Sequence, residues 1–365
     1  MCSDAHVTTA MDDSATDAAA AAIPLTRQAA AVAAMGSPFV ATVLETCARQ
    51  IHRAPRTAAL IAGWPRDTAS DALAMRLNAA LHALALRGTM PALSAFYAAR
   101  WGDADRVIGE ALAAADAFIA GWMRETPQTN EVGRAAAIMA ALMVLRDAHD
   151  MPCELLELGS SAGLNLTLAR YSYDLGGVTA GDPLSAVRIA PAWHGGTPPA
   201  CPVAIVGARG VDRHPLDPRD ADARERLMAH VWADQADRAA RLGHALDMAR
   251  TDPPRVDHGD IADWLPRRLA EPQAAGVCRV VFHSMALQYL DEPARAQVDD
   301  LIAGHGRRAT ADRPLARIGF EWTQARDAVH LTLTCWPDGR PRHLATCHAY
   351  GAWIDWHGGG ETKAG

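Results

Sequence analysis

The segment from Cys153 to Leu166 constrains the fold of this chain more than any other stretch. It reads CELLELGSSAGLNL, an apolar run with an internal acid that passes through small residues into a helical pattern. Such a strand, loop and helix are typical of ligand-binding turns in doubly wound α/β domains, because small residues let the backbone approach a ligand. The dinucleotide pattern G-x-G-x-x-G is not met, since Ser161 and Leu164 occupy two of its glycine positions. The segment predicts an α/β domain whose site is not a dinucleotide site.

The loop of this segment is the candidate cofactor site. Its spacing Glu157-x-Gly159-x-x-x-Gly163 resembles the first motif of S-adenosylmethionine (SAM) methyltransferases, which implies SAM as the cofactor. The expected cofactor-binding residues of the loop are Glu157, Gly159, Ser160, Ser161, Ala162, Gly163 and Asn165.

Composition narrows the class of partner. The net charge is −7 and no block of Lys and Arg occurs, so a nucleic-acid partner is not expected. No apolar run reaches the length of a membrane span, and the seven cysteines form no C-x-x-C motif. We therefore expect a cytoplasmic protein without membrane contact that acts on a small molecule, and the sequence leaves its oligomeric state open.

Histidine and cysteine come close together near the end of the chain. His343, Cys347 and His348 lie within six positions, but they stand in an apparent strand rather than in a metal-binding turn. We interpret them as ordinary strand residues and expect no metal site.

The chain is expected to form two domains between two tails. Residues 1–23 carry four aspartates and no Lys or Arg, which predicts a disordered Ala-rich tail rather than a signal peptide. Residues 24–148 show apolar residues at three- and four-residue spacing, which predicts a helical domain. Residues 149–357 alternate short apolar runs with helical segments, and residues 358–365 are expected to be a flexible tail.

The second domain is expected to be α/β. Its expected strands are 155–158, 203–211, 255–258, 278–283, 316–320 and 329–335, followed by a turn into 343–349. Strand–helix alternation that closes with a hairpin predicts a Rossmann-like, doubly wound, mostly parallel sheet with a C-terminal antiparallel hairpin. This arrangement resembles the sheet of class I methyltransferases.

Three aspartates compete for the place of the acid that accepts hydrogen bonds from the ribose in SAM enzymes. Asp212 ends an apolar strand, Asp174 follows the loop sooner, and Asp182 stands in a Gly-Asp-Pro turn. We favour Asp212 because strand ends line the crevice of such sheets. An Asx turn before Pro215 is the structural alternative for Asp212.

The third expected strand is followed by a second candidate cofactor contact. Asp260 and Ile261 stand where methyltransferases commonly hold the adenine ring. The alternative is that Asp260 caps the following helix, because either role places an aspartate directly before the helix.

The fourth expected strand ends at His283, which is the candidate general base. Ligands bind at the carboxyl ends of strands in open α/β sheets, and histidine titrates near neutral pH. Glu321, after the fifth strand, is its expected orienting partner, and Ser284 and Tyr289 are expected in the same crevice. The alternative is a core histidine bonded to a backbone carbonyl, since ring nitrogens are easily satisfied in that way.

A polar run upstream of the first strand is expected to lie over the crevice. Asn130, Glu131 and Arg134 share one face at the start of a long apolar helix. They act there either as helix caps or as substrate ligands, with Arg134 holding a carboxylate. Tyr173 and Asp182 complete the expected substrate crevice.

Several separated motifs together resemble one bacterial family, the domain-of-unknown-function family numbered 2332. They are Gln128-Thr129-Asn130-Glu131-x-Gly133-Arg134, the 156–165 loop, Tyr171-x-Tyr173-Asp174, Gly181-Asp182-Pro183, Gly210-Val211-Asp212, Val231-Trp232-x-x-Gln235, Asp252-Pro253-Pro254 and Phe282-His283-Ser284. The resemblance covers the chain from about residue 30 and implies a methyltransferase-like α/β domain behind a helical domain, without a known reaction. The chain departs from the family at His214, which replaces Asn, and at residues 320–322, where Phe-Glu-Trp replaces Asn-Glu-Gly.

Two functional interpretations follow. The first is a SAM-dependent methyltransferase acting on a small molecule, with substrate and methylated atom left open. The second is a non-catalytic SAM sensor or interaction scaffold, since a fold does not fix a function. A weaker third interpretation is a nucleotide-binding hydrolase or oxidoreductase.

Overall fold

The computed structural model describes residues 4–69 and 71–358. The burial of side chains is described from residue 15 onward. The chain forms two compact units. The first combines Met1–Thr129 with Ala221–Ala240, and the second combines Asn130–Asp220 with Arg241–Gly365. The flexible tail expected at 358–365 lies outside the described residues apart from Gly358.

The described chain contains the following regular elements. The α-helices are α1 (Asp4–Ala34), α2 (Pro38–Gln50), α3 (Pro55–Ala62), α4 (Leu73–Arg87), α5 (Pro91–Ala99), α6 (Ala104–Arg124), α7 (Ala135–His149), α8 (Ala221–Ala229), α9 (Ala236–Thr251), α10 (Ile261–Ala270) and α11 (Glu292–Gly306). The strands are β1 (Cys153–Leu158), β2 (Ser172–Leu175), β3 (Val178–Gly181), β4 (Arg188–Ile189), β5 (Ala192–Gly195), β6 (Ile205–Asp212), β7 (Val256–His258), β8 (Cys278–Ser284), β9 (Leu315–Trp322), β10 (Val329–Trp336), β11 (Arg340–Cys347) and β12 (Trp353–Trp356). Short 3₁₀ helices lie at Ile51–Arg53, Val132–Arg134, Leu164–Arg170 and Leu287–Tyr289.

The two units divide the chain differently from the expected boundary at residue 148. Residues 130–148, expected in the helical domain, belong to the unit that holds the large sheet. The reason is packing, because α7 lies against β9, β10 and β11. Residues 221–240, expected in the α/β domain, belong to the helical unit.

Residues 4–23, which the sequence predicts to be a disordered tail, form the first part of α1. Alanine has the highest helix propensity, so the Ala-rich run favours a helix once packing is available. The buried stripe of α1 is Ala18, Ala21, Leu25, Ala29 and Val32, and it packs against α2 and α3. The apolar stripe therefore anchors residues 18–32 of α1 against these two helices.

The segment 221–240 is tied to the helical unit by specific hydrogen bonds. Asp234 accepts hydrogen bonds from Ser37 Oγ at 2.6 Å and from Phe39 N at 3.1 Å. His82 Nδ1 lies 3.1 Å from the Ala229 carbonyl at the end of α8. These bonds satisfy the start of α2 and the end of α8 within the first unit.

The second unit contains a nine-stranded sheet in the order β5-β12-β11-β10-β9-β8-β1-β6-β7. The five strands β7, β6, β1, β8 and β9 pair in parallel. β10 pairs antiparallel with both β9 and β11. The expected mixed α/β class, with a large, mostly parallel sheet, a closing hairpin and a helical region before it, is confirmed.

Four short strands between β1 and β6 were not expected. β2, β3 and β4 form a separate three-stranded sheet, and β5 pairs with β12 at the edge of the large sheet. They fill the stretch between β1 and β6, where the sequence shows no strong alternation of apolar residues.

One face of the large sheet is covered by α10 and α11. Their apolar cluster contains Leu156, Leu158, Val211, Trp264, Leu265, Leu269, Val281, Leu287, Val298, Ile302, Leu315 and Trp336. Since successive strand residues point to opposite faces, Glu157 lies on the other face from Leu156 and Leu158. His283, which pairs with Leu158, lies on the helix-covered face.

Candidate functional site

The candidate site lies at the carboxyl ends of β1 and β8, where the chain order of the parallel strands reverses. Ligands of open α/β sheets bind in the crevice at such a point. Both loops there hold non-glycine residues in the left-handed region, with φ of 54° at Ser161 and 57° at Met285. Strained backbone of this kind is concentrated at functional sites. The structure therefore brings the predicted loop 159–163 to the predicted place.

The loop after β1 uses its own N–H groups within the protein. Five N–H groups donate to protein oxygens: Gly159 and Ser160 to Val211 O at 2.9 and 3.0 Å, Ser161 to Asp212 Oδ2 at 2.8 Å, Gly163 to Ser160 O at 2.7 Å, and Leu164 to Asn130 Oδ1 at 3.0 Å. A loop that cradles phosphate instead turns its N–H groups towards the ligand. This loop is therefore rigid but offers few donors to a phosphate.

Glu157 is a buried acid beneath this loop, with 1% of its surface exposed. Burial raises the pKa of Glu157 well above its usual value, the charge of Asp212 adds to the rise, and hydrogen bonds with Ser160 and Asn165 oppose it. Glu157 Oε2 and Asn165 Oδ1 are both buried without a hydrogen-bond partner. Unpartnered buried acceptors are costly, so these two oxygens suit a ligand that donates hydrogen bonds.

Asp212 joins the loop after β1 to the end of β6. Its Oδ2 accepts from Ser161 N at 2.8 Å, and its Oδ1 accepts from His214 N at 2.8 Å in an Asx turn. Because β6 pairs directly with β1, Asp212 lies beside the loop. Each carboxylate oxygen has a second lone pair, so the turn does not prevent contact with a ribose.

The competing aspartates lie elsewhere. Asp174 is in the three-stranded sheet, where its Oδ1 accepts from Gly177 N at 2.7 Å. Asp182 closes a local turn by accepting from Leu184 N at 2.9 Å. The expected crevice role of Asp182 therefore has no support from its position, since its carboxylate serves an exposed turn.

Asp260 caps α10, as the structural alternative predicted. Its Oδ1 accepts from Ala262 N at 2.8 Å, and its Oδ2 forms an ion pair with Arg213. Ile261 packs against the apolar cluster under α10. Contact of Asp260 and Ile261 with an adenine ring stays a prediction.

His283 is 2% exposed and hydrogen-bonded at both ring nitrogens. Nδ1 lies 2.8 Å from Glu321 Oε1, and Arg317 Nε donates to Nε2 at 3.1 Å. An arginine only donates, so Nε2 is the acceptor and Nδ1 carries the proton. Burial lowers the pKa of His283, so the ring is neutral at pH 7.

This geometry does not favour the expected general-base role of His283, which stays a prediction. A general base needs a lone pair within reach of the substrate's proton. The one lone pair of the neutral ring is occupied by Arg317. The arrangement favours the structural alternative, although the ring is bonded to side chains rather than to a backbone carbonyl.

The segment 130–134 connects the loops of β1 and β8. Asn130 accepts from Leu164 N, and Glu131 caps the following 3₁₀ helix by accepting from Gly133 N at 2.9 Å. Arg134 donates to Ala349 O at 2.9 Å and to Ser284 O at 3.3 Å. In the structure these side chains cap a 3₁₀ helix and link neighbouring loops. Arg134 donates at least two hydrogen bonds to backbone carbonyls rather than to a carboxylate.

The two predicted crevice tyrosines differ in position. Tyr173 is buried, and its hydroxyl donates to Leu168 O at 2.7 Å. Burial raises the pKa of Tyr173 well above its usual value, so the hydroxyl stays neutral and keeps its hydrogen bond within the protein. Tyr289 is 46% exposed in the 3₁₀ helix that follows β8.

A comparison with protein families finds one match. The model described as "Uncharacterized protein conserved in bacteria (DUF2332)" matches residues 23–356. The chain belongs to this family. Comparisons with curated proteins and with solved structures find no match. The family match covers both units but its description names no reaction, so the function has to be argued from the site.

Two further properties of this family member concern the described residues only. Within residues 4–69 and 71–358, no helix is both long and apolar enough to cross a membrane. Over the same residues, no three His, Cys, Asp or Glu side chains gather as ligands for a metal ion.

The sequence analysis missed two residues of the site. Arg317 stands four positions before Glu321, on the same face of β9, and this alternation was the available signal. Met285 gave no signal, because methionine rarely adopts a positive φ and only the tertiary structure imposes it.

Proposed function

We propose that the chain binds SAM at the carboxyl ends of β1, β6 and β8 and transfers its methyl group to a small molecule. The observation that carries this proposal is the chemistry of the site floor. Two buried acceptors beneath the loop, Glu157 Oε2 and Asn165 Oδ1, have no hydrogen-bond partner, while five loop N–H groups are already bonded within the protein.

This pattern supports a cationic, donor-rich ligand over a phosphate. SAM carries an ammonium group, a sulfonium and two ribose hydroxyls, which need acceptors and negative charge. A nucleotide needs donors for its phosphates, and the carboxylate of Asp212 beside the loop would repel them. The nucleotide-binding hydrolase or oxidoreductase is therefore the weaker interpretation.

The sheet order agrees with the proposal. Numbered along the chain, the five parallel strands lie in the order 3-2-1-4-5, which is the order of doubly wound nucleotide-binding sheets. This order supports the Rossmann-like, methyltransferase-like character that the loop motif suggests. It does not specify the reaction, because one fold hosts many functions.

The proposed roles follow from these positions. Glu157 and Asn165 would accept from the ammonium group, Asp212 from the ribose, and Asp260 with Ile261 would border the adenine ring. SAM supplies an electrophilic methyl group when bound. The protein then contributes binding and orientation, since methyl transfer is a displacement that depends mainly on positioning.

A non-catalytic SAM sensor is the second candidate. The observation that favours it is the occupied lone pair of His283, which leaves the expected general base without a free acceptor. A calorimetric titration of SAM and of its demethylated product into the protein tests both candidates. Binding of either molecule supports the proposed site. If neither molecule binds at a concentration of about 1 mM, the site is overturned, because a binding free energy weaker than about −4 kcal/mol does not indicate a specific site. Formation of the demethylated product in the presence of cell extract then separates enzyme from sensor.

Gly159→Ala is expected to abolish SAM binding while the protein stays folded. The residue has φ 74°, and an added Cβ would lie 2.5 Å from Ala286 Cβ, so the loops of β1 and β8 would be forced apart. Gly177→Ala is the matched control, because Gly177 has φ 92° but nothing within 4 Å of the added Cβ. Both changes introduce backbone strain of about 1 kcal/mol, and only the first disturbs the site. Melting curves and calorimetry of both variants measure the difference, and unchanged SAM affinity in Gly159→Ala would place the site elsewhere.

Asp212→Asn is expected to weaken SAM binding by about 1–3 kcal/mol, because the ribose hydroxyls lose a charged acceptor. Asp174→Asn is the control, since Asp174 makes an equivalent bond to a turn N–H in the three-stranded sheet. Calorimetric dissociation constants of both variants decide between them. A larger loss in Asp174→Asn would transfer the ribose contact to that sheet.

A further inference from the structure

We propose that Glu321, His283 and Arg317 are positioning residues that hold the turn after β8 against the loop after β1. The inference rests on the proposed function only for its effect on SAM. Its effect on the turn itself is measurable without any ligand.

Glu321 is the centre of this arrangement. Its Oε1 accepts three hydrogen bonds, from His283 Nδ1 at 2.8 Å, Ala286 N at 3.0 Å and Leu287 N at 3.2 Å. One carboxylate oxygen therefore joins β9 to the end of β8 and to the first residues of the following 3₁₀ helix. Backbone N–H groups bonded to a carboxylate are strongly fixed.

His283 extends the arrangement to α11. Its Nε2 accepts from Arg317 Nε, and Arg317 Nη1 lies 2.7 Å from Asp299 Oδ1 on α11. Arg317 therefore fixes the tautomer in which Nδ1 donates to Glu321. A buried, fully bonded ring of this kind stiffens its surroundings more than it titrates.

The turn after β8, which Glu321 holds in place, contacts the loop after β1. Met285 is held at φ 57° by a hydrogen bond from its N–H to Phe320 O at 2.9 Å, and Ala286 follows it. A Cβ on Gly159 would lie 2.5 Å from Ala286 Cβ, so the turn and the loop are in direct contact there. Strained backbone persists only where surrounding contacts stabilise it. Glu321 provides such contacts, because it accepts hydrogen bonds from the N–H groups of Ala286 and Leu287, the two residues after Met285. Releasing Glu321 should therefore let the turn move and loosen the loop against it.

The test compares Glu321→Ala with Glu321→Gln. Gln keeps an Oε1 acceptor of the same reach, whereas Ala removes it. The matched control is Asp174→Ala, which removes a carboxylate from the backbone N–H of Gly177 in a turn of the three-stranded sheet. Hydrogen–deuterium exchange of peptides covering 284–290 and 159–166 is measured without ligand, and SAM affinity is measured by calorimetry.

In Glu321→Ala we expect exchange in both peptides to rise about tenfold or more, because the anchoring acceptor of two amides is lost. We expect SAM affinity to fall about tenfold or more in the same variant, because a loosened site must be ordered again on binding. Glu321→Gln should lie close to wild type in both measurements, and Asp174→Ala should change neither peptide.

Each contrary outcome is informative. Wild-type exchange at 284–290 in Glu321→Ala overturns the positioning role, whatever SAM does. Altered exchange with no SAM binding even in the wild-type protein leaves the positioning role standing and overturns the proposed function. If Glu321→Ala does not fold, Arg317→Met takes its place, because it frees His283 Nε2 without touching the turn. Unchanged exchange at 284–290 in that variant would equally contradict the inference.

Discussion

Glu157→Leu is expected to make the protein more stable and to abolish SAM binding. The carboxyl group is buried beneath the loop after β1, and one of its oxygens has no partner. Leaving a buried polar group unsatisfied costs about 1–3 kcal/mol, and an apolar side chain removes that penalty. The melting temperature should rise by about 2–4 °C for each kcal/mol gained, the value for a folding unit of the size of the one that holds Glu157.

The same change should reduce SAM affinity about 100-fold or more, because a charge-assisted hydrogen bond to an ammonium group contributes about 1.5–3 kcal/mol and Leu also leaves that group buried without an acceptor. Glu157→Gln is the matched control for shape. It should also melt higher than wild type and lose most of the affinity, since charge rather than size holds the ligand. A Leu variant that melts lower and still binds SAM would show that Glu157 is a structural acid.

The pH dependence of these variants gives an independent check. The folded pKa of Glu157 is raised, so the unfolded chain ionises first, at a pH of about 4.3. Stability is therefore lost as pH rises above that value and is fully present below it. The advantage of Glu157→Gln in melting temperature should be small below about pH 4 and should grow towards pH 7.

SAM binding should also lower the pKa of Glu157, because the ligand's positive charge favours the ionised carboxylate, and a proton is then released at any pH between the free and the bound pKa. The release appears as a dependence of the calorimetric enthalpy on the ionisation enthalpy of the buffer. Absence of that dependence, with tight SAM binding, would move the ammonium contact away from Glu157.

The sequence predicts strands correctly where their apolar residues form an unbroken run. The runs 155–158 and 278–283 are buried on both faces, so they are continuous and easily recognised. The expected turn after Trp336 led to the hairpin of β10 and β11. The strands β2 to β5 were missed because they are short and only partly buried, and their pairing is decided by tertiary context rather than by pattern.

The candidate site was predictable in position but less so in chemistry. The loop at Gly159 and the acid at Asp212 lie together because strand ends of a parallel sheet meet at one edge. The sequence could not show that Arg317 fills the lone pair of His283, because that contact joins two strands distant in sequence. Likewise, nothing in the pattern distinguishes an Asp260 that caps a helix from one that meets a ligand, since both precede the helix in the same way.

Arg279→Met is expected to be the most destabilising single change outside the site. The side chain lies at the start of β8 and is 3% exposed. Its donors reach Glu154 Oε2 at 2.8 Å and four carbonyl oxygens at the end of α10: Arg268 at 3.3 Å, Leu269 at 3.4 Å, Glu271 at 2.9 Å and Pro272 at 3.2 Å. The last carbonyls of a helix have no partners within the helix, so this guanidinium serves as the C-cap of α10.

Methionine has a similar length but no donor, so the change leaves these carbonyls unsatisfied and should lower the free energy of unfolding by about 3–5 kcal/mol. Urea denaturation at pH 7 measures the loss. Arg340→Met is the control, because Arg340 is 86% exposed in its ion pair with Asp338 and should change stability by less than about 0.5 kcal/mol. Arg279→Lys should recover only part of the loss, since an ammonium group cannot reach five acceptors with one planar fork. An unchanged urea midpoint in Arg279→Met would mean that water satisfies the end of α10, and that β8 is held in place by its strand pairing alone.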